Sequence, residues 1–199
     1  MRRAVTHLKK SDPTMAAIIA SIGPCRITYG APTFASLCES ITYQQLHGKA
    51  AASIFQRFTD LAGLPLTPTR ILKLTEEQMR AVGLSRQKAT CIRDLAAHAT
   101  DGRLNFDHLP SLSDDDVIAH LTQVKGIGTW TAQMFLMFTL QRHDVLPTGD
   151  LAIQMAMQKH YRKRKLPKPV VMEKIAKKWA PYRTIACWYL WASVDTKTQ

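Results

Sequence analysis

Nine residues, Val124-Lys125-Gly126-Ile127-Gly128-Thr129-Trp130-Thr131-Ala132, constrain the fold more than any other stretch of the chain. Before them, Ser113 stands where it can cap a helix, with Asp116 placed for a reciprocal capping box. Val117, Leu121 and Val124 then recur at i, i+4, i+7. After them, Thr131, Phe135 and Phe138 repeat the same spacing. Two helices are therefore joined by a few residues that include two glycines. Glycine at both places permits positive φ and the close approach of another molecule, because no Cβ intervenes. The amides of Gly126, Gly128 and Thr129 would be left without helical partners at the start of the second helix. Such amides, with the positive helix end, form an anion site. The same residues also fit a plain tight turn with glycine as a C-cap.

Charge favours the anion. Lys and Arg number 27 against 15 Asp and Glu, a net charge of +12, which points to a polyanionic partner. The run Tyr161-Arg162-Lys163-Arg164-Lys165-Leu166-Pro167-Lys168 reads as an exposed basic loop between helices. A localisation signal or a merely solvated loop fits it equally well.

The chain of 199 residues can bury a core as one domain or two tightly joined lobes, and 46% hydrophobic residues mark it as globular. No apolar run nears the roughly 20 residues that span a bilayer, so no membrane association is expected. Met1-Arg2-Arg3-Ala4 lacks a following apolar stretch, and no secretory signal is expected. Cys25, Cys38, Cys91 and Cys187 are far apart, without a C-x-x-C pair. They read as buried free thiols in a reducing compartment, hence cytoplasm or nucleoid, rather than as zinc or iron–sulfur ligands. The dispersed histidines give no ligand spacing, and no catalytic metal is expected.

Nearly every segment has helical period and a cap signal, and strand-like alternation is absent, so the predicted class is all-α. Asp12-Pro13 starts a helix that Gly23-Pro24 closes, and Pro32-Thr33 opens another bearing Phe34, Leu37, Cys38 and Ile41. A third runs from near His47 to Leu61. Thr75 to Gln78 is a capping box, and Ser85 caps a longer helix to about Ala99. Beyond the glycine turn, helices are expected over about 129–141, 151–161, 170–179 and 182–193, with Trp188 in the core.

Asp150 follows Gly128 by 22 residues, at the head of the helix that contains Ile153, Met155 and Met157. Taken alone it is an N-terminal capping carboxylate. In this all-helical setting the chain resembles the helix-hairpin-helix DNA glycosylases, in particular the 3-methyladenine DNA glycosylase II group. Leu121 to Ala132 resembles the family hairpin, and Leu146-Pro147-Thr148-Gly149-Asp150-Leu151-Ala152-Ile153 the segment with the catalytic aspartate. Trp179 to Trp191 resembles the closing helix, and Ser40 to Leu46 with Gly48 to Ala51 the loop that enters DNA. Gly83-Leu84-Ser85-Arg86-Gln87-Lys88-Ala89 is a further match. The chain is similar to the compact form, which lacks an N-terminal β-rich domain.

The resemblance implies two helical lobes, roughly 1–32 with 146–199 and 33–145, with the active-site cleft between them. It implies a monomer that acts on double-stranded DNA containing alkylated bases. By that resemblance Asp150 is catalytic, Trp130 and Trp191 line the base pocket, Gln45 is the wedge and His47 reaches the minor groove. Gly126, Gly128 and Thr129 would hold DNA phosphate, and hairpin carbonyls could coordinate a structural monovalent cation. For Gln44, Gln45 and His47 alone, an ordinary polar helix start fits too. Members that also cut the strand carry a lysine where this chain has Trp130, and an indole cannot form a Schiff base. Two other readings remain at this stage: a related glycosylase for deaminated or other lesions, and a DNA-binding module without activity.

Overall fold

The computed structural model describes residues 1–46 and 48–195. Twelve α-helices follow in order among them: α1 (Arg2–Ser11), α2 (Pro13–Ile22), α3 (Phe34–Tyr43), α4 (Gly48–Ala62), α5 (Pro68–Leu72), α6 (Glu76–Ala81), α7 (Arg86–Thr100), α8 (Asp114–Thr122), α9 (Thr129–Phe138), α10 (Leu151–His160), α11 (Pro169–Ala176) and α12 (Arg183–Asp195). Single 3₁₀ turns lie at Leu109–Ser111 and Lys177–Trp179, and no described residue is in a strand. The all-α class is therefore observed. No helix among the described residues is long and apolar enough to cross a membrane.

Side-chain caps set many of the helix starts. Asp12, Ser85 and Asp150 each accept a backbone N–H of the first turn. Thr33 with Ser36, and Thr75 with Gln78, form full reciprocal boxes. At α8 the expected box takes a different form. Asp116 N–H donates to Ser113 Oγ, but the Asp116 carboxylate accepts from the Ser113 hydroxyl at 2.6 Å. Aspartate is one methylene shorter than the Glu or Gln that reaches back to the N-cap amide. Helix α1 carries little signal in the sequence: no side chain caps it, and Ala4 and Leu8 alone are buried in it.

The chain divides into two compact units. One comprises Met1–Tyr29 with the segment from Gln141 onward; the other is Gly30–Leu140. In the second unit α7 packs against α3, α5 and α6, and α8 packs against α9. Leu37, Ile41, Phe58, Ile71, Met79, Ile92 and Leu95 are among its fully buried side chains.

In the first unit α12 packs against α10 and α2, and α2 against α1. Its polar centre is Asp12, which is completely buried. Besides capping α2, this carboxylate accepts from Tyr161 Oη at 2.5 Å and Trp179 Nε1 at 2.8 Å, with Lys178 Nζ at 3.2 Å. One acid thus ties α2, the end of α10 and the 3₁₀ turn together. Trp179, not Trp188, is the fully buried tryptophan. Trp188 is half-buried and meets Tyr189 edge-on at 5.0 Å, which corrects its assignment to the core. Its helix turns that face only partly inward.

Burial alone would raise the Asp12 carboxyl. The bonds from Trp179, Tyr161 and Lys178 outweigh it and hold the group below its ordinary value of 3.8. The stability this adds is present above that value and is lost as pH falls through the lower folded value. Asp12→Ala should cost about 3 kcal/mol, from two buried donors left without their anion. At this chain length that lowers Tm by about 6–12 °C. Thermal unfolding from neutral pH downward checks both points: the variant should unfold earlier, and the gap to wild type should narrow in acid.

Candidate functional site

Asp150 is placed by three sets of bonds within its unit. The first is its own helix: Ile153 N–H donates to Oδ1 at 2.8 Å, as the cap reading expects. The second is the loop before it. Asp150 N–H donates to Pro147 O at 3.0 Å, and Gln154 Nε2 reaches back from α10 to Thr148 O at 2.8 Å. The third is α12. Arg183 grips Asp144 through Nε and Nη2, both at 2.8 Å. Thr184 Oγ1 donates to Arg142 O at 2.6 Å and accepts from Val145 N–H at 3.1 Å. Two turns further along α12, Trp191 Nε1 donates to Asp150 Oδ1 at 3.1 Å.

The Asp150 carboxylate is buried to 8% exposure, yet both neighbours give it N–H groups and it sits on the positive end of α10. A negative charge is thus preorganised where the chain has few other acids. Between Leu151 and Met172 there is none. Cys187, fully buried one turn before Trp191, is pushed to a high pKa by burial and then by the Asp150 charge. It is an inert thiol. All four cysteines are free; three are buried and Cys25 is half-buried.

In the other unit, α7 is the platform for two chain turns. Gly126 has φ +92, and a Cβ there would meet Cys91 Cβ and Sγ at 3.2 Å. Lys125 N–H donates to Asp94 Oδ2 at 2.7 Å. The turn is thereby seated on α7 by glycine packing and one carboxylate. Burial, with the Asp94 charge, pushes the Cys91 thiol up to about 12. Gly128 differs from expectation: its backbone is extended, φ −95, which any residue adopts. It is exposed, and a Cβ on it would meet nothing within 4 Å. No side chain caps α9, so the exposed Gly128–Thr129 amides head that helix. Substitution at 126 therefore disturbs the fold, whereas a side chain at 128 would meet open space.

The end of α3 is tied to the same platform. Lys88 Nζ on α7 donates to Thr42 O at 2.8 Å, and Gln44 Nε2 donates to Thr131 Oγ1 on α9 at 3.0 Å. Gln45 then stands exposed with φ 56, a left-handed conformation that costs a β-carbon residue about 1–2 kcal/mol. The turn thus anchors Gln44 and projects Gln45.

A family model for the HhH-GPD superfamily of base excision DNA repair proteins matches residues 38–181. The chain belongs to that superfamily. It is 34% identical to DNA-3-methyladenine glycosylase 1 of Schizosaccharomyces pombe, over 96% of this chain and 86% of that one. It superposes on a 3-methyladenine DNA glycosylase from that yeast, solved with abasic DNA, with a TM-score of 0.86 over 97% of both chains. A DNA-3-methyladenine glycosidase from Bacillus halodurans is 36% identical, with a TM-score of 0.85, over 98% of this chain and 91% of that one.

The matched residues include Gln45, the glycine turn and Asp150, whereas Trp191 lies beyond them. Asp150 and Trp191 meet directly. Trp130 is 45% exposed on the first turn of α9, in the other unit. His47 lies outside the described residues. The bonding roles of Asp94, Lys88, Arg183 and Asp144 are not legible in the sequence. Their partners lie 31 to 46 positions away, and no local pattern announces them. Among the described residues, no group of three His, Cys, Asp or Glu could hold a metal ion. A monovalent cation asks only for carbonyl oxygens. Val124 O accepts from Ile127 N–H at 3.0 Å, so one hairpin carbonyl is already engaged within the turn.

The Trp191 result is sharper than the pocket role expected for it: its polar edge is committed to the carboxylate. Trp191→Phe keeps an aromatic face and removes the N–H. Single-turnover base excision should fall about tenfold, the worth of one charge-assisted hydrogen bond. Affinity for abasic-site DNA should stay within about twofold. A rate equal to wild type would detach Trp191 from the placement of Asp150.

Proposed function

We propose that this protein is a monofunctional DNA glycosylase. It hydrolyses the N-glycosidic bond of alkylated purines, of the 3-methyladenine and 7-methylguanine type, and so opens base excision repair. The observation that carries this reading is the Asp150 carboxylate, buried at a helix N-terminus and held by Ile153 N–H and Trp191 Nε1. A module that only grips DNA has no use for an anion built in this way. The activities named for the similar yeast and Bacillus proteins agree with it.

A base inside a duplex cannot present its glycosidic bond, so the nucleotide is first extruded. Gln45, projected by its left-handed turn, fills the gap, and His47 reaches into the minor groove. The exposed amides at Gly128 and Thr129, with Gly126 shaping the turn, hold the backbone by phosphate. Breaking the glycosidic bond builds positive charge on the deoxyribose. Asp150 stabilises that charge without reorganisation, because its oxygen is already fixed, and it orients the attacking water. Alkylation at N3 or N7 gives the purine a formal positive charge. The base is then a better leaving group and a better partner for an aromatic face such as that of Trp191. Normal bases leave poorly, so selection rests partly on chemistry. The protein works as a monomer on double-stranded DNA, in the cytoplasm or nucleoid.

Trp130 occupies the place where strand-cutting relatives carry a lysine, so the product should be an unbroken strand with an abasic site. The test uses methylated duplex DNA. Free methylpurine should be released, the strand should break only after alkali, and borohydride should trap no covalent adduct. Adduct yield comparable with a lyase would refute the monofunctional assignment, and absence of base release would refute the substrate.

A further inference from the structure

The basic run after α10 has no part in this chemistry, yet it is built with care. Lys159, Arg162, Lys163, Arg164, Lys165 and Lys168 fall within ten positions, and all six are exposed. Among the described residues none of them is in an ion pair. The first part of the run is not a loose tail. Lys163 N–H donates to Gln158 O at 2.9 Å, Arg162 is left-handed at φ 52, and Gln158 Nε2 reaches Arg164 O at 3.4 Å. This closes α10 in the manner of a Schellman turn. Beside it lies a recess of about 610 Å³, with Met155 and Val194 in it and Lys159, Arg162, Lys163 and Arg164 around it.

An exposed face of α10 leads from the recess toward Asp150. Leu151, Met155 and Lys159 form one exposed stripe at i, i+4, i+8 along α10, with Leu151 58% and Met155 50% exposed. The stripe begins at the residue next to Asp150 and ends at the cations. Ten helical residues span about 15 Å, which matches about four to five nucleotides of a DNA strand. Like charges crowded this closely repel one another, and a polyanion relieves that repulsion.

We propose that the exposed stripe of α10 and the 159–168 turn form a second DNA track, which holds the strand flanking the flipped nucleotide. Leu151 and Met155 lie against sugars, and the cations meet phosphates about four to five nucleotides from the lesion. The inference rests on the glycosylase reading for the position of the strand at Asp150. It is distinct from the phosphate contact at Gly128.

The test compares wild type, Lys163→Gln/Arg164→Gln/Lys165→Gln, and a control that removes the same number of charges elsewhere, Lys9→Gln/Lys10→Gln/Lys177→Gln. The ligand is a duplex with a stable abasic-site analogue, and thermal unfolding verifies that each variant is folded. Each phosphate contact adds about 0.9 to the slope of log K against log salt. The turn variant should lose about 2 or more from that slope, and the control less than about 1. Shortening the duplex to about two base pairs on one side of the analogue should weaken wild type, and the turn variant should feel that shortening least. An unchanged slope in the turn variant, or an equal loss in the control, overturns the proposal. So does a turn variant that binds double-stranded DNA normally while losing a different anionic partner. Because binding is read without excision, the two readings separate. Base release by wild type with an unchanged slope sinks only the track. A lost slope with no base release sinks only the glycosylase reading.

Discussion

A single buried carboxylate organises one of the two units of this protein. Asp150 is at once the cap of α10 and the acceptor of the Trp191 indole, so one oxygen fixes a helix start and joins it to α12. Burial to 8% exposure would be unfavourable for an unassisted anion. Two N–H donors and the helix end offset that cost and determine where the charge points. The bonds of Arg183 and Thr184 to residues 142–145 extend the same logic outward, because they lock the approach of the loop to the helix that carries Trp191. What holds the fold here also fixes the direction of the anion.

The other unit solves a different problem, that of presenting bare backbone. Helix α7 supplies Cys91 beneath Gly126, Asp94 to Lys125 N–H, and Lys88 to the end of α3. The glycine turn and the Gln45 turn are thereby mounted on one helix. The two glycines divide the work. Gly126 is required by its conformation and by the contact with Cys91, whereas Gly128 keeps an outward face clear.

What was legible in the sequence follows from range. Capping reads out over three residues, so Thr33, Thr75, Ser85, Ser113 and Asp150 announced their helices. The motif order carried the family, and the family match over residues 38–181 covers its motifs from Ser40 through Asp150. What was not legible depends on partners brought together by folding. Asp12 looked like a cap and is also the polar hub of its unit, through Tyr161 and Trp179, which lie 149 and 167 positions away. Trp191 looked like a stacking surface, and only the three-dimensional arrangement exposes its bond to Asp150. Gly128 looked like a conformational glycine and is not one, since φ cannot be read from residue type alone.

The central claim is that the charge of Asp150, fixed in place by the fold, drives base excision. Asp150→Asn tests it most directly, because the amide keeps shape and a capping oxygen while it removes the charge. The measurement is single-turnover release of 3-methyladenine from a duplex, with affinity for abasic-site DNA determined in parallel. The account predicts a loss of at least about a hundredfold in rate, about 2.7 kcal/mol of transition-state stabilisation, with affinity nearly retained. Near-normal excision by the folded variant would contradict it.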